Sequence, residues 1–319
     1  MRYIILAIIL CFSLNGVAQS NYEKGLQSFN KENYNTAKSY FQAYLKENPN
    51  HKQTKEYLGD IAGHSKDWDT ALDYYKELLD ASPKNANYHF KYGGSLGLKC
   101  LEMNKVKAVF YIDDIKYHLN EAAKLDLNHI EVRWALVELY IQLPGILGGS
   151  ESKSQEYAEQ LYKISPVDGH LSRGYIAEYS NRPKDAEVHY KKAIEIGGSP
   201  HTYEKLTKLY EENNEPEKAV NTLEDSLKKY DRNQLNYQIA KICAQYNIKP
   251  QTGLVYADRY IQNHSIKDGV PLDWAYLRKA QMYRHMGNRS KASYWIQEAL
   301  KDRSDFKEAL QERSLILDM

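Results

Sequence analysis

Small and apolar positions recur along this chain at a fixed interval. Gly25, Ala37 and Pro49 are followed 34 residues later by Gly59, Ala71 and Pro83. Within an interval, apolar residues fall three and four apart, as in Ala71, Tyr75 and Leu78, which places them on one helix face. Each interval therefore predicts two helices. The first carries the glycine; the second carries the alanine and stops at the proline, whose predecessor avoids the α region. A small residue at the crossing lets the two helices approach closely. A period of this length is the signature of stacked repeats.

The marks continue along the sequence. Tyr92-Gly93 precede Ile115, Leu119 and Ala122; Trp134, Leu136 and Tyr140 precede Ala158, Leu161 and Pro166. Gly174 and Ala177 precede Ala186, Tyr190 and Ala193; Leu206 and Tyr210 precede Ala219 and Leu223. Ile239-Ala240 precede Gly253, Ala257 and Tyr260, and Ala280, Tyr283 and Gly287 precede Ala292, Ile296 and Ala299. Asp305 to Leu317 reads as one more amphipathic helix, since the last unit of a stack needs a cap over the face meant for a neighbour. Two units are too long. The stretch from Gly97 to His118 lacks proline and predicts longer helices, with Leu101, Val106, Val109 and Ile112 continuing an apolar stripe. In LPGILGGSESK, Pro144 and Gly145 stop a helix, Gly148 and Gly149 permit positive φ, and Ser150 or Ser152 caps the next helix.

This arrangement resembles the tetratricopeptide repeat (TPR) family, in the form found in exported bacterial proteins, over nearly all of the chain. The resemblance implies an all-α, right-handed superhelical solenoid of about eight repeats with a C-terminal capping helix. Repeats are expected near 19–51, 52–85, 86–128, 129–166, 167–199, 200–232, 233–266 and 272–304, with the cap at 305–319. It further implies that the first helix of each repeat lines an inner groove. At the family's groove-facing places stand Tyr22, Leu26 and Phe29, then Phe90, then Trp134, Glu138 and Ile141, then Leu171, Tyr175 and Glu178. Glu204, Lys208 and Glu211, then Tyr237 and Lys241, and finally Trp274, Leu277, Gln281 and Arg284 complete the series. Of these, Phe90, Trp134, Glu138, Tyr175, Tyr237 and Trp274 are the expected partner-binding residues, because aromatics beside charges are the composition of protein-binding surfaces. The alternative for Phe90 and Trp134 is that the long third repeat folds over them. The carboxylate clamp used by some family members is missing: Tyr22, Leu26 and Tyr57 occupy its first places.

Residues 1–18 stand outside the repeats. Arg2 precedes an apolar run from Tyr3 to Leu14, then Asn15 and the small-residue pattern ending at Ala18, the layout of a secretory signal cleaved after Ala18. The run spans about 18 Å, short of the ~30 Å hydrocarbon core, and no later stretch is long enough to cross a bilayer. A lipid-carrying Cys11 is disfavoured by Leu10 before it. The expected location is therefore the periplasm or the exterior, with attachment at the outer membrane as a variant.

Composition narrows the function class. With 43 Lys and Arg against 42 Asp and Glu, the net charge of +1 gives no electrostatic footprint for nucleic acid. A mean hydropathy of −0.69 excludes a polytopic membrane protein. The 28 tyrosines against 6 phenylalanines suit a thin fold, where a ring is buried while its hydroxyl stays wet. There is no HExxH, CxxC or G-x-S-x-G, Asp113 and Asp114 point about 100° apart on a helix, and the glycines of LPGILGGSESK lack a following Gly-Lys-Ser/Thr. Cys100 and Cys243 are read as two separate thiols. No metal, cofactor or catalytic activity is expected. The expected function is a protein- or peptide-binding scaffold or assembly factor in the cell envelope. Its rivals are a carbohydrate-binding repeat protein, whose Tyr and Trp rings stack on sugars, and a self-associating structural protein that forms homodimers.

Overall fold

The computed structural model describes residues 20–319; the signal-peptide reading and Cys11 lie outside the described residues. Among those residues the chain is helical, with no strand and with no helix long and apolar enough to cross a membrane. The helices are α1 (Asn21–Asn30), α2 (Tyr34–Glu47), α3 (Lys52–His64), α4 (Trp68–Ala81), α5 (Ala86–Glu102), α6 (Lys105–Ala108), α7 (Ile112–Leu125) and α8 (Ile130–Gln142). Next come α9 (Glu151–Ile164), α10 (Pro166–Tyr179), α11 (Pro183–Ile196), α12 (Pro200–Glu212) and α13 (Pro216–Tyr230). The series closes with α14 (Asn233–Gln245), α15 (Pro250–Gln262), α16 (Leu272–His285), α17 (Arg289–Leu300) and α18 (Lys307–Leu317). Contacts divide the chain into two units. One runs to Leu139 and includes Leu143–Gly149; the other comprises Tyr140–Gln142 and Ser150–Met319.

Local chemistry sets the helix ends. Ser20 and Glu23 form a capping box, each side chain bonding the other's backbone N–H at 3.2 and 2.9 Å. Asp67, Asn85, Ser150 and Asn288 accept from the backbone three residues on, and Pro166, Pro183, Pro200, Pro216 and Pro250 occupy first helical positions. Inside the pairs one turn recurs. Glu32, Lys66, Asn181, Asn214 and Asn247 each adopt a left-handed backbone, and the next residue's N–H closes back five positions, as Asp67 to Ala62 (2.9 Å) and Arg182 to Ala177 (2.8 Å).

Packing within a pair follows one rule. The second helix buries an alanine completely: Ala37 and Ala71 in the first unit, Ala158, Ala186, Ala219, Ala257 and Ala292 in the second. Four residues after Ala71 and Ala186, Tyr75 and Tyr190 lay their rings over a glycine of the first helix. A Cβ on Gly59 would stand 2.6 Å from the Tyr75 ring, and one on Gly174 would stand 2.4 Å from Tyr190. The hydroxyls escape to the rim. Tyr75 donates to Asp60 (2.7 Å), Tyr190 to Glu178 (2.6 Å) and Tyr210 to Glu187 (2.9 Å), which explains why tyrosine outnumbers phenylalanine.

The extra length of the third repeat goes into the 17 residues of α5, the short α6 and a 3₁₀ turn at Val109–Tyr111. In the second insertion Gly148 takes φ +87°, but Gly149 is needed for another reason: a Cβ there would meet the Leu143 carbonyl oxygen at 1.7 Å. Ser150 caps α9, accepting from Lys153 N–H at 3.2 Å. Cys100 and Cys243 are free thiols, and burial pushes Cys243 up to about 11.

The second unit ends under α18. Phe306, Ala309 and Ile316 seal Leu277 and Ile296; the Phe306 ring meets Trp274 at 4.7 Å, and the Arg303 guanidinium lies 3.7 Å above it. Glu312, itself buried, accepts from Arg284 Nε at 2.5 Å. Phe306→Ala is expected to lower unfolding stability by about 3 kcal/mol, the cost of emptying a filled aromatic site. Urea unfolding followed by far-UV circular dichroism checks it; a loss below about 1 kcal/mol would mean the cap does not seal the stack.

Candidate partner-binding cleft

On the second unit, α12 and α14, the first helices of successive pairs, wall a cleft of about 200 Å³. Glu204, Thr207, Lys208 and Glu211 lie three and four apart, so α12 turns one face to it. Gln238, Lys241 and Ile242 come from α14 by the same spacing, and Leu223 of α13 supplies the floor with Ile242. The walls carry both charge signs. Lys241 Nζ stands 3.7 Å from Glu211, while Lys208 leans 3.4 Å from Glu212.

Thr207 is the unusual member. It is 6% exposed, and its hydroxyl has no hydrogen-bond partner among the described residues. Other buried threonines of this unit bond a backbone carbonyl behind them: Thr202 to Ser199 at 2.7 Å and Thr222 to Lys218 at 2.8 Å. A buried hydroxyl without a partner costs about 1–3 kcal/mol. The cleft holds no histidine, cysteine or serine, so its groups are those that hold a ligand rather than attack one. Its volume is below the ~300 Å³ at which drug-sized ligands begin to fit, and suits one or two side chains of a segment.

The residues expected from sequence fall in different surroundings. In the first unit Phe90 is half-buried with its ring 5.0 Å from His129, Trp134 is half-buried and Glu138 is exposed. In the second unit Tyr175 is half-buried and accepts from Gln142 Nε2 at 2.6 Å. Tyr237 lies inside, 7% exposed, 5.4 Å from the Tyr260 ring. Trp274 sits beneath Phe306, with Arg278 and Arg303 over its faces at 5.3 and 5.8 Å. Leu171 and Leu277 are buried. The cleft gathers instead the charged members of the series, Glu204, Lys208, Glu211 and Lys241. Thr207 and Gln238 were not among the residues marked by the sequence; each stands three positions from a marked residue, Glu204 and Lys241, and that helical spacing is the signal that reaches them.

The helix pairs have a counterpart among known proteins. A tetratricopeptide-repeat family model matches residues 22–86, the span of α1 to α4. Residues 22–86 carry tetratricopeptide repeats. Solved structures with similarity include a tetratricopeptide repeat protein from Parabacteroides merdae, 12% identical, covering 93% of this chain and 97% of that one at a TM-score of 0.49. YrrB, described as a TPR protein with an unusual peptide-binding site, is 13% identical over 61% of this chain and 97% of its own, at 0.44. TTC0263 of Thermus thermophilus is 14% identical over 76% and 97%, at 0.40. No curated protein matches the sequence. Tetratricopeptide repeats are protein-interaction modules, so the partner class is a protein or peptide.

Two of the repeats hold a histidine pair between their helices. His89 and His118 meet Nδ1 to Nδ1 at 2.9 Å in the first unit, His170 and His189 at 3.2 Å in the second. One ring of each pair must donate and the other accept, so two imidazolium rings cannot keep the bond. Burial first, then the facing His89, lowers the His118 pKa; burial and Arg173 lower that of His170; burial and His170 lower that of His189. Nearby Asp114, Glu195 and Asp185 oppose these shifts without reversing them. Among the described residues no group of three or more metal-ligating side chains is assembled.

A histidine held neutral in the folded chain takes up protons more readily when unfolded, so stability is complete above the ordinary value of about 6.5 and falls as pH drops below it. Melting temperature is expected to fall by roughly a few degrees between pH 7.5 and 5.5. In the double variant His118→Asn with His189→Asn that slope should flatten; an unchanged slope would assign the acid sensitivity elsewhere.

Proposed function

We propose that this protein is a non-catalytic binding scaffold or assembly factor of the cell envelope, which holds an extended protein segment on its repeats. The cleft between α12 and α14 receives a stretch of that segment bearing both charge signs. Glu204 and Glu211 meet its cations, Lys208 and Lys241 its anions, and Gln238 bonds its backbone amides. The observation that carries this reading is a cleft walled by two successive first helices that present both charge signs, Glu204 and Glu211 beside Lys208 and Lys241. Main-chain capture of an extended segment uses donors and acceptors together, and charged walls set its register. Export is supported by the order of Arg2, the apolar run Tyr3–Leu14 and Ala18. A sugar-stacking role would want open ring faces, whereas Trp274 is covered by Phe306 and two arginines and Tyr237 is buried.

Tagged protein is used to recover partners from envelope extract, with mass-spectrometric quantitation, beside the double variant Lys208→Glu with Lys241→Glu. Both lysines are on the surface, so the circular dichroism spectrum is expected to be unchanged. At least one partner recovered by the wild type should fall tenfold or more with the variant, as expected where two interfacial charges are inverted. Identical recoveries from both would remove the cleft as the binding site.

A further inference from the structure

The third repeat carries a feature that its packing does not use. Helix α5 ends in Leu98 and Leu101, three apart on one face, and the chain turns through Asn104 into α6 and the 3₁₀ turn. There Val106, Val109 and Phe110 are three and four apart and share a face. This face is turned outward: Phe110 is 80% exposed, Leu101 76% and Val106 71%. The projection is braced. Asn104 Oδ1 accepts from Val106 N–H at 2.9 Å, and Glu102 is held by Lys66 and by Trp68 Nε1, both at 2.9 Å. One turn into α7, Lys116 Nζ donates to the Leu147 carbonyl at 2.6 Å, next to Ile146, which is 93% exposed.

The charges around these side chains are one-sided at the tip. Residues 103–111 contain Lys105 and Lys107 and no carboxylate, and neither lysine makes an ion pair among the described residues. Of the acids near by, Glu102 is paired with Lys66 and Asp69 with Lys99, while Asp113, 3.5 Å from Lys116, and Asp114 are exposed at the start of α7, beyond the tip. We infer that this basic, apolar projection docks the protein on an anionic phospholipid surface. Phe110, Val106 and Leu101 enter the headgroup–acyl boundary while Lys105 and Lys107 meet lipid phosphates. The exposed apolar side chains of this segment offer roughly a few hundred Å², below the ~800 Å² per partner of a standard protein interface. A bilayer needs no matching shape, and shallow apolar insertion with lysine attraction to anionic lipid acts additively.

Flotation of the full chain with large unilamellar vesicles tests this, phosphatidylcholine alone against phosphatidylcholine with one-third phosphatidylglycerol. Residues 1–19 are common to all variants, so differences between variants report the projection. Wild type should float with the anionic vesicles far more than with the neutral ones, and less at high salt. Phe110→Ser with Val106→Ser should cut partitioning about tenfold or more, with unchanged thermal unfolding because both side chains face solvent. Lys105→Gln with Lys107→Gln should cut it by about fivefold per lysine. Equal flotation of wild type and both variants, or equal binding to neutral vesicles, would overturn the inference. So would failure to float together with concentration-dependent dimerisation that Phe110→Ser abolishes, since the face would then belong to a second copy.

Discussion

Two helices come close enough to shed the water between them only where one gives up its side chain. In this protein the first helix contributes a glycine and the second an aromatic ring that fills the vacated space, at Gly59 with Tyr75 and Gly174 with Tyr190. The fully buried alanine one turn before each ring completes the contact. A methyl group at either glycine would stand within 2.6 Å of ring carbons, closer than real Cβ contacts allow. The interlock fixes the crossing within a pair, and the spacing of apolar residues then leaves the opposite faces free to stack on the next pair. Because this packing is local, each repeat retains a polar rim on which tyrosine hydroxyls and carboxylates meet.

That locality is why the fold class could be read from the chain. The turn prolines, the 34-residue recurrence and the cap motifs act within a few residues of themselves, so the all-α paired architecture follows without knowledge of distant contacts. The capping helix was legible for the same reason: a stack must end, and Asp305 to Leu317 has the pattern of an end. Gly149 shows the limit of such reading. It stands in a glycine-rich turn that suggests positive φ, yet its need arises from the Leu143 carbonyl.

The cleft was legible only in part. Position within a first helix pointed to Glu204, Lys208, Glu211 and Lys241, which do come together. The same rule pointed to Tyr237 and Trp274, but whether a ring stays open depends on what another helix lays over it. Tyr260 of α15 covers the first, and Phe306 beside α18 covers the second. The histidine pairs were missed because each joins residues 19 or 29 positions apart whose facing is set by helix rotation. The basic apolar projection was read as a continued stripe, for a repeat pattern assigns apolar residues inward by default. Binding in this protein thus separates into a charged cleft built by the repeat and a projection built by an insertion into it.

The interlock is tested most directly by a double-mutant cycle in urea on Gly174→Ala and Tyr190→Leu. In the wild-type background the added methyl meets the ring and should destabilise by about 1–3 kcal/mol. With leucine at 190 the ring is gone, and the better helix propensity of alanine, worth up to about 1 kcal/mol, should make the same change neutral or stabilising. A coupling of about 1 kcal/mol or more, with that reversal, is the predicted result. Additive effects within about 0.5 kcal/mol would show that the glycine does not make room for the ring, and would contradict the account.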